Sequence, residues 1–331
     1  MSGRRVLAGR ALNPIGLGCM NLSHAYGRPP GPEEGARLLH RALDLGYDHL
    51  DTARLYGLGR NEALIGEALQ GRRRDFFLAS KMGIIVEGES RRTDCRPDTI
   101  RREVEKSLAA LRTDHIDLYY MHRRDVSVPI EESVGAFADL IREGKIGAIG
   151  LSEMSAATLR RAHATHPIAA MQTEYSLWTR NVEIAVLDAC RELGVALVAF
   201  SPLARGVLAD AVHDLVELAQ GDLRRPMPRF NAENWLHNRA LVEAFNAIAA
   251  GRGVTPAQLS LAWVLSRGEH VHVIPGTSRV DHLEENAARG DWRPSDAILA
   301  SLDALINQQT VAGPRYAAAM QATIETEEFA L

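Results

Sequence analysis

What most constrains the fold is an alternation: short apolar runs that read as buried strands take turns with longer stretches of helical period, and the pair recurs eight times. The strand-like runs lie at residues 15–18, 49–51, 76–81, 116–121, 146–151, 169–172, 196–200 and 271–274. The helical stretches lie near 32–45, 61–70, 98–111, 130–143, 156–166, 182–193, 256–266 and 280–288. Consecutive parallel strands need such crossovers, so the class is α/β. Eight units fit a (β/α)8 TIM barrel better than a doubly wound sheet, which supplies fewer strands before another domain begins. Barrels routinely exceed the usual domain length, so one domain over residues 1–331 is the simpler reading. Residues 210–234 break the rhythm with GDLRRPMPRF, and a helix-like stretch at 235–250 follows. We read this as a long insertion between the seventh strand and the seventh helix, where it would lie over the catalytic face. Residues 295–308 read as an additional C-terminal helix, the tail to Leu331 as a surface segment, and the N-terminus as short and polar.

Bulk properties narrow the partners. With 46% hydrophobic and 24% charged residues and a formal charge of −4, the chain offers no basic footprint for nucleic acid or an anionic membrane. Cys19, Cys95 and Cys190 are odd in number and lack metal-ligand spacing, so they read as reduced thiols of a cytoplasmic protein. The N-terminus has no apolar signal core and no apolar run is long enough to span a membrane. A small-molecule partner is the remaining expectation, with monomer and homo-oligomer both open.

In a parallel barrel the C-terminal strand ends converge on one face, where such enzymes keep their chemistry. Asp51, Lys81 and His122 close or follow three of the strand-like runs, and Tyr56 stands in the loop after Asp51. A phenol with a pKa of about 10 is a poor acid near neutrality unless a cation favours the phenolate. Lys81, one of only three lysines with Lys106 and Lys145, can be that cation. Codon composition accounts for the arginine bias, yet arginine cannot replace a compact ammonium that tunes a neighbour's pKa. Asp51 would hold Lys81 charged, and His122 would bond the reacting oxygen or relay a proton. Taken singly, a buried Asp–Lys pair or a strand-end His is as readily structural; joint placement on one rim favours function. The two GLG triplets at 16–18 and 57–59 lack the third glycine of a dinucleotide fingerprint. Gly57 and Gly59 instead permit a sharp course after Tyr56.

From IGLGCM at Ile15 to EEN ending at Asn286, the motifs DTARLYG, ASK, YYMH, GLSE, QTEYS, SPLARG and IPGTSR follow in an order that resembles the aldo-keto reductase superfamily. PRFNAEN and AQLSLAWVL resemble its bacterial and plant-type NADPH-dependent branch. The resemblance implies reversible reduction of aldehydes and ketones by hydride transfer from NADPH, with NADH less favoured. It makes Asp51, Tyr56, Lys81 and His122 the catalytic tetrad and Tyr56 the general acid.

By the same resemblance, Gly18, Cys19, Met20 and Asp51 border the cofactor. Ser152, Glu153 and Gln172 face its carboxamide, although Glu153 stands where asparagine is commonest, and a carboxylate cannot donate to the carboxamide oxygen. Phe200 keeps the aromatic surface for the nicotinamide face. Ser201, Leu203, Arg205 and Gly206 match the pyrophosphate segment, with Arg205 its charge partner. Ile274, Gly276, Thr277, Ser278, Arg279, Glu285 and Asn286 match the adenosine end, where Arg279 would meet the 2′-phosphate.

Substrate contacts are expected from Met20, Tyr56, Met82, His122 and Trp178 and from the loops at 20–26, 82–85, 122–124 and 210–235. Trp178, Met20, Met82 and Ile85 suggest an apolar mouth for an aromatic or alicyclic carbonyl compound. Arg123 and Arg124 read as solvated. No metal site is expected, since the rim lacks a His and carboxylate ligand cluster, which disfavours a barrel hydrolase. The competing reading is a nucleotide-binding redox sensor or regulatory subunit with little turnover.

Overall fold

The chain begins with a hairpin, β1 (Arg5–Leu7) and β2 (Arg10–Leu12), where a polar arm was expected. Its Leu7 and Leu12 are fully or almost fully buried against Phe77, Leu118 and Val198, so the hairpin caps one end of the barrel interior. The two-residue turn runs through Ala8 and Gly9, both at positive φ. Such a turn matches the strand twist but is signalled in sequence by Asn-Gly or Asp-Gly, not by Ala-Gly. The computed structural model describes residues 3–88, 90–288 and 292–330.

The barrel strands are β3 (Leu17–Gly18), β4 (His49–Asp51) and β5 (Phe77–Met82). After an antiparallel hairpin, β6 (Ile84–Glu87) and β7 (Ser90–Thr93), come β8 (Leu118–Met121), β9 (Ile149–Ser152), β10 (Ile168–Glu174), β11 (Ala196–Phe200) and β12 (Val271–Ile274). The eight form one parallel sheet in the order β3-β4-β5-β8-β9-β10-β11-β12. Parallel bridges Ile15–Val273 and Gly18–Gly276 close it. The expected (β/α)8 class therefore holds. Register levels the rim: Gly18 pairs with Asp51, Lys81 with Tyr120, Ser152 with Gln172, and Phe200 with both Glu174 and Ile274.

Helices α1 (Pro32–Asp44), α2 (Arg60–Ala68), α3 (Pro97–Leu111), α4 (Ile130–Arg142), α5 (Ala156–Thr165) and α6 (Val186–Leu193) follow the first six barrel strands. Then come α7 (Ala232–Ala250), α8 (Pro256–Leu265), α9 (Val280–Ala287), α10 (Asp296–Leu305) and the short α11 (Ala318–Gln321). Their starts follow local chemistry. Proline opens α1, α3 and α8, where its missing N–H costs nothing, and Ser155 and Thr255 cap α5 and α8 through their hydroxyls. The expected insertion lies between β11 and α8 and includes α7, and the extra helix after the barrel is α10. Among the described residues no helix is long and apolar enough to cross a membrane.

Strand alternation separates two cores. Phe77, Ala79, Leu118, Tyr120, Ala170 and Val198 fill the barrel, whereas Leu78, Met82, Tyr119, Met121, Met171 and Leu197 pack in the larger cluster that includes the helices. The tail after α10 is not the surface segment expected: Arg315, Tyr316 and Thr326 are buried.

Candidate active site

A cavity of about 680 Å³ opens at the rim formed by the C-terminal strand ends. Asp51, Tyr56, His122, Ser152, Gln172, Phe200 and Ile274 all line it. Asp51 reaches this level as the last residue of β4. The following loop then turns through Gly57 and Gly59, at φ +58° and +89°, which presents Tyr56 to the cavity before α2 begins. Asn61, fully buried in α2, fixes that loop. It accepts from the Thr52 hydroxyl at 2.6 Å and donates to the Cys19 carbonyl at 2.8 Å and to Ser23 Oγ at 2.9 Å.

Lys81 lies behind the cavity wall, completely buried. Its Nζ donates to Asp51 Oδ1 and, at 2.8 Å, to the Thr52 carbonyl, and stands 5.1 Å from the Tyr56 ring centroid. Burial works against the ammonium, but Asp51 and then Tyr56 outweigh it and hold Lys81 above its ordinary value. For Tyr56 the balance goes the other way. Burial raises the phenol, and Lys81 pulls it down without offsetting that rise, so Tyr56 keeps its proton. The Tyr56 and His122 rings meet edge-on at 5.9 Å. Burial, then Arg123, Lys81, Arg91 and His24, hold the imidazole well below 6.5, so His122 is neutral.

The polar groups farther round the rim have complementary free valences. Gln172 Nε2 donates to Asp51 Oδ2 at 2.7 Å, which leaves Gln172 Oε1 to accept. Ser152 Oγ accepts from Arg123 at 3.3 Å, which leaves its proton to donate. Phe200 lies beside them. At the other end of the cavity Gly276, Thr277, Ser278 and Arg279, which lead into α9, and Glu285 and Asn286, in its last turn, line the wall. Asn286 Oδ1 is buried in that wall with no hydrogen-bond partner among the described residues. A long cleft holding an amide-complementary pair, an aromatic face and an orphaned buried acceptor fits a nicotinamide dinucleotide.

Most of the other residues expected from sequence line the same cavity: Gly18, Cys19, Met20, Ser201, Leu203, Arg205 and Gly206. Five residues depart from what was expected of them. Glu153, at φ +55°, does not line the cavity. Its carboxylate instead accepts from Arg315 at 2.5 and 2.9 Å, Thr326 at 3.0 Å, Thr173 at 3.3 Å and the Glu174 N–H at 2.8 Å. Arg205 does border the cavity, yet its Nη2 is already committed to Glu174 and to the Tyr316 hydroxyl, each at 2.6 Å. Met82 and Trp178 are buried in the outer core and do not reach the cavity. Arg123, expected in solvent, is part of the wall.

Arg91, on β7, and Tyr316 and Met320, from the tail, also line the cavity and were not expected there. Nothing in RRT or GPRY marks them locally. Only the fold brings residues so distant in sequence to the rim.

A model of the aldo/keto reductase family matches residues 14–307. The chain belongs to this family. A probable aldo-keto reductase of Glycine max is 41% identical over 311 residues, covering 93% of this chain and 89% of that one. The structure of a glycerol dehydrogenase from Gluconobacter oxydans superposes with a TM-score of 0.86 at 28% identity, covering 94% of this chain and 97% of that one. An aldo/keto reductase from Klebsiella pneumoniae, determined in complex with NADP and acetate, does so with a TM-score of 0.73 at 27% identity, covering 96% and 99%.

Proposed function

We propose that this protein reduces aldehydes and ketones to alcohols, reversibly, with NADPH as reductant and Tyr56 as general acid. The observation that carries the reading is the convergence of Tyr56 and His122 at one cavity that also presents Ser152, Gln172 and Phe200, with the Asp51–Lys81 pair behind Tyr56. The complex of the Klebsiella relative with NADP supports the cofactor, and the name of the Gluconobacter relative supports operation in the oxidative direction. Ser152 Oγ and Gln172 Oε1 would hold the carboxamide, with Phe200 at the nicotinamide face. Residues 276–279 with Glu285 and Asn286 would hold the adenosine end, Arg279 facing the 2′-phosphate.

When bound there, the reduced cofactor would supply the hydride that the carbonyl carbon accepts. The chain's own residues manage the oxygen. His122, neutral, donates a hydrogen bond that orients it, and the protonated Tyr56 hydroxyl gives up its proton as negative charge grows on it. Lys81 steadies the phenolate left behind, and Asp51 keeps Lys81 charged while burying it.

The test is NADPH consumption across a panel of aldehydes by wild type and Tyr56→Phe. Loss of the acid lowers kcat by roughly 10² to 10⁴ with NADPH binding retained. Near-wild-type turnover in the variant overturns the assignment. Tight NADPH binding without turnover on any carbonyl by wild type favours a nucleotide sensor instead.

A further inference from the structure

Five arginines border the cavity. Three are neutralised by carboxylates: Arg205 by Glu174, Arg224 by Asp222 and Arg279 by Asp281. Arg91 and Arg123 have no carboxylate within ion-pair distance among the described residues. Their sequence neighbours show that this is selective. Arg92, on the opposite face of the same strand, pairs with Asp94 and Glu87, and Arg124 pairs with Glu325 of the tail. Arg123 donates Nη1 to the His122 carbonyl at 2.6 Å and to Ser152 Oγ at 3.3 Å, both neutral, and its Nε and Nη2 make no hydrogen bond to the described protein.

This charge sits at the reacting end of the cavity. Arg123 follows His122 directly and bonds to its carbonyl, while His24, whose ring lies 5.4 Å from that of Tyr56, is in the same wall. Arg91 and Arg123 act on each other as well as on His122. Burial and then Arg123 hold Arg91 below its ordinary value, so the two guanidiniums stand near enough for Arg91 to feel the charge of Arg123. The carboxylates in the cavity wall do not relieve it: Asp51 is bound by Lys81 and Gln172, and Glu285 lies at the adenosine end. Meanwhile, of the four apolar anchors expected of a neutral aromatic substrate, Met82, Ile85 and Trp178 are buried outside the cavity lining and only Met20 borders it.

We propose that Arg91 and Arg123 form an anion subsite, and that the carbonyl substrate carries a carboxylate or phosphate which they bind while its carbonyl oxygen meets Tyr56 and His122. The proposal rests on carbonyl reduction as the function. Guanidinium donors suit both anions, since each presents oxygens that a planar fork can bind in pairs.

The test measures kcat/KM with NADPH for matched pairs: 4-carboxybenzaldehyde against methyl 4-formylbenzoate, and glyceraldehyde 3-phosphate against glyceraldehyde. Wild type should prefer the anion of at least one pair by about tenfold or more, the scale of one charge-assisted hydrogen bond. The pair that responds identifies the anion. Added KCl should erode that preference. Arg91→Gln, a change on an exposed hairpin strand, should reduce the charged-to-neutral ratio about tenfold, and Arg91→Lys should restore part of it. Equal turnover of charged and neutral partners, or a ratio unmoved in Arg91→Gln, overturns the subsite and leaves carbonyl reduction standing. Failure to turn over any of the four compounds overturns the functional reading and the subsite together.

Discussion

Burial acts in opposite senses on the two groups that face the reacting oxygen, because one is charged when it loses a proton and the other when it gains one. The Tyr56 phenol is raised and the His122 imidazole is lowered, so both stay neutral across the physiological range. Carbonyl reduction should therefore show no acid limb near pH 6.5, the ordinary histidine value, and any alkaline fall from loss of the Tyr56 proton should lie above the ordinary phenol value of about 10. A pH profile of kcat/KM checks this; an acid limb near 6.5 that vanishes in His122→Asn would contradict the neutral imidazole. These residues were legible because each follows a strand end, His122 directly and Tyr56 by five residues, and a closed parallel sheet brings strand ends together whatever the details between them. Met82 was misread although the rule that excludes it is simple. It is one step out of phase with Lys81, so when Lys81 points toward Asp51 at the barrel axis, Met82 must point to the helices. Glu153 could not be read at all, since its partner Arg315 lies 162 positions away and carries no periodic signal.

At the scale of elements, the segment after α10 is fastened by a buried ion network as well as by apolar contacts of Ile306, Val311, Tyr316 and Ile324 with the core. Arg315 bridges Glu153 and Glu174, which are themselves 1% and 3% exposed, and Glu174 also takes Arg205 and the Tyr316 hydroxyl. Burial opposes both carboxylates, yet the arginines outweigh it and hold them below their ordinary range. Removing one partner of such a network strands the other, which costs about 3–5 kcal/mol, whereas removing both is far milder. Arg315→Met should thus lose about that much in urea-induced unfolding, and Glu153→Gln/Arg315→Met should recover a substantial part. Additive losses in the double variant would show that the two side chains do not act as a pair. The same segment supplies Tyr316 and Met320 to the cavity, so the single variant should also weaken NADPH binding. Helices and strands were legible because their periodicity records which face is buried. The tail and the β6–β7 hairpin were not, because polar side chains anchored by distant partners leave no such record.

The whole molecule places its chemistry above a base that holds buried imidazoles. His49 in β4 and His272 in β12 are fully buried in the barrel wall, two strands that become near neighbours only because β3 joins the ends of the sheet. His272 donates through Nε2 to the Val6 carbonyl of the N-terminal hairpin at 3.3 Å, while neither nitrogen of His49 has a hydrogen-bond partner among the described residues. Burial pushes each pKa down to about 3, with Lys81 adding to the effect on His49 and His49 adding to that on His272. Unfolding releases both to about 6.5, so between these values the unfolded chain binds more protons than the folded one. The stability they confer is complete above pH 6.5 and is lost as pH falls toward 3, at about 1.4 kcal/mol per pH unit for each. The acidic network at Glu153 and Glu174 adds to this only below the ordinary carboxylate value of about 4.3, which separates the two contributions. Urea unfolding between pH 7.5 and 5 should therefore show falling stability before Glu153 and Glu174 titrate. His272→Val removes one such group from its strand; it should lower stability at pH 7.5 through the lost bond to Val6 yet flatten the slope below pH 6 by about 1.4 kcal/mol per pH unit. A slope unchanged from wild type would mean that His272 takes up its proton in the folded barrel.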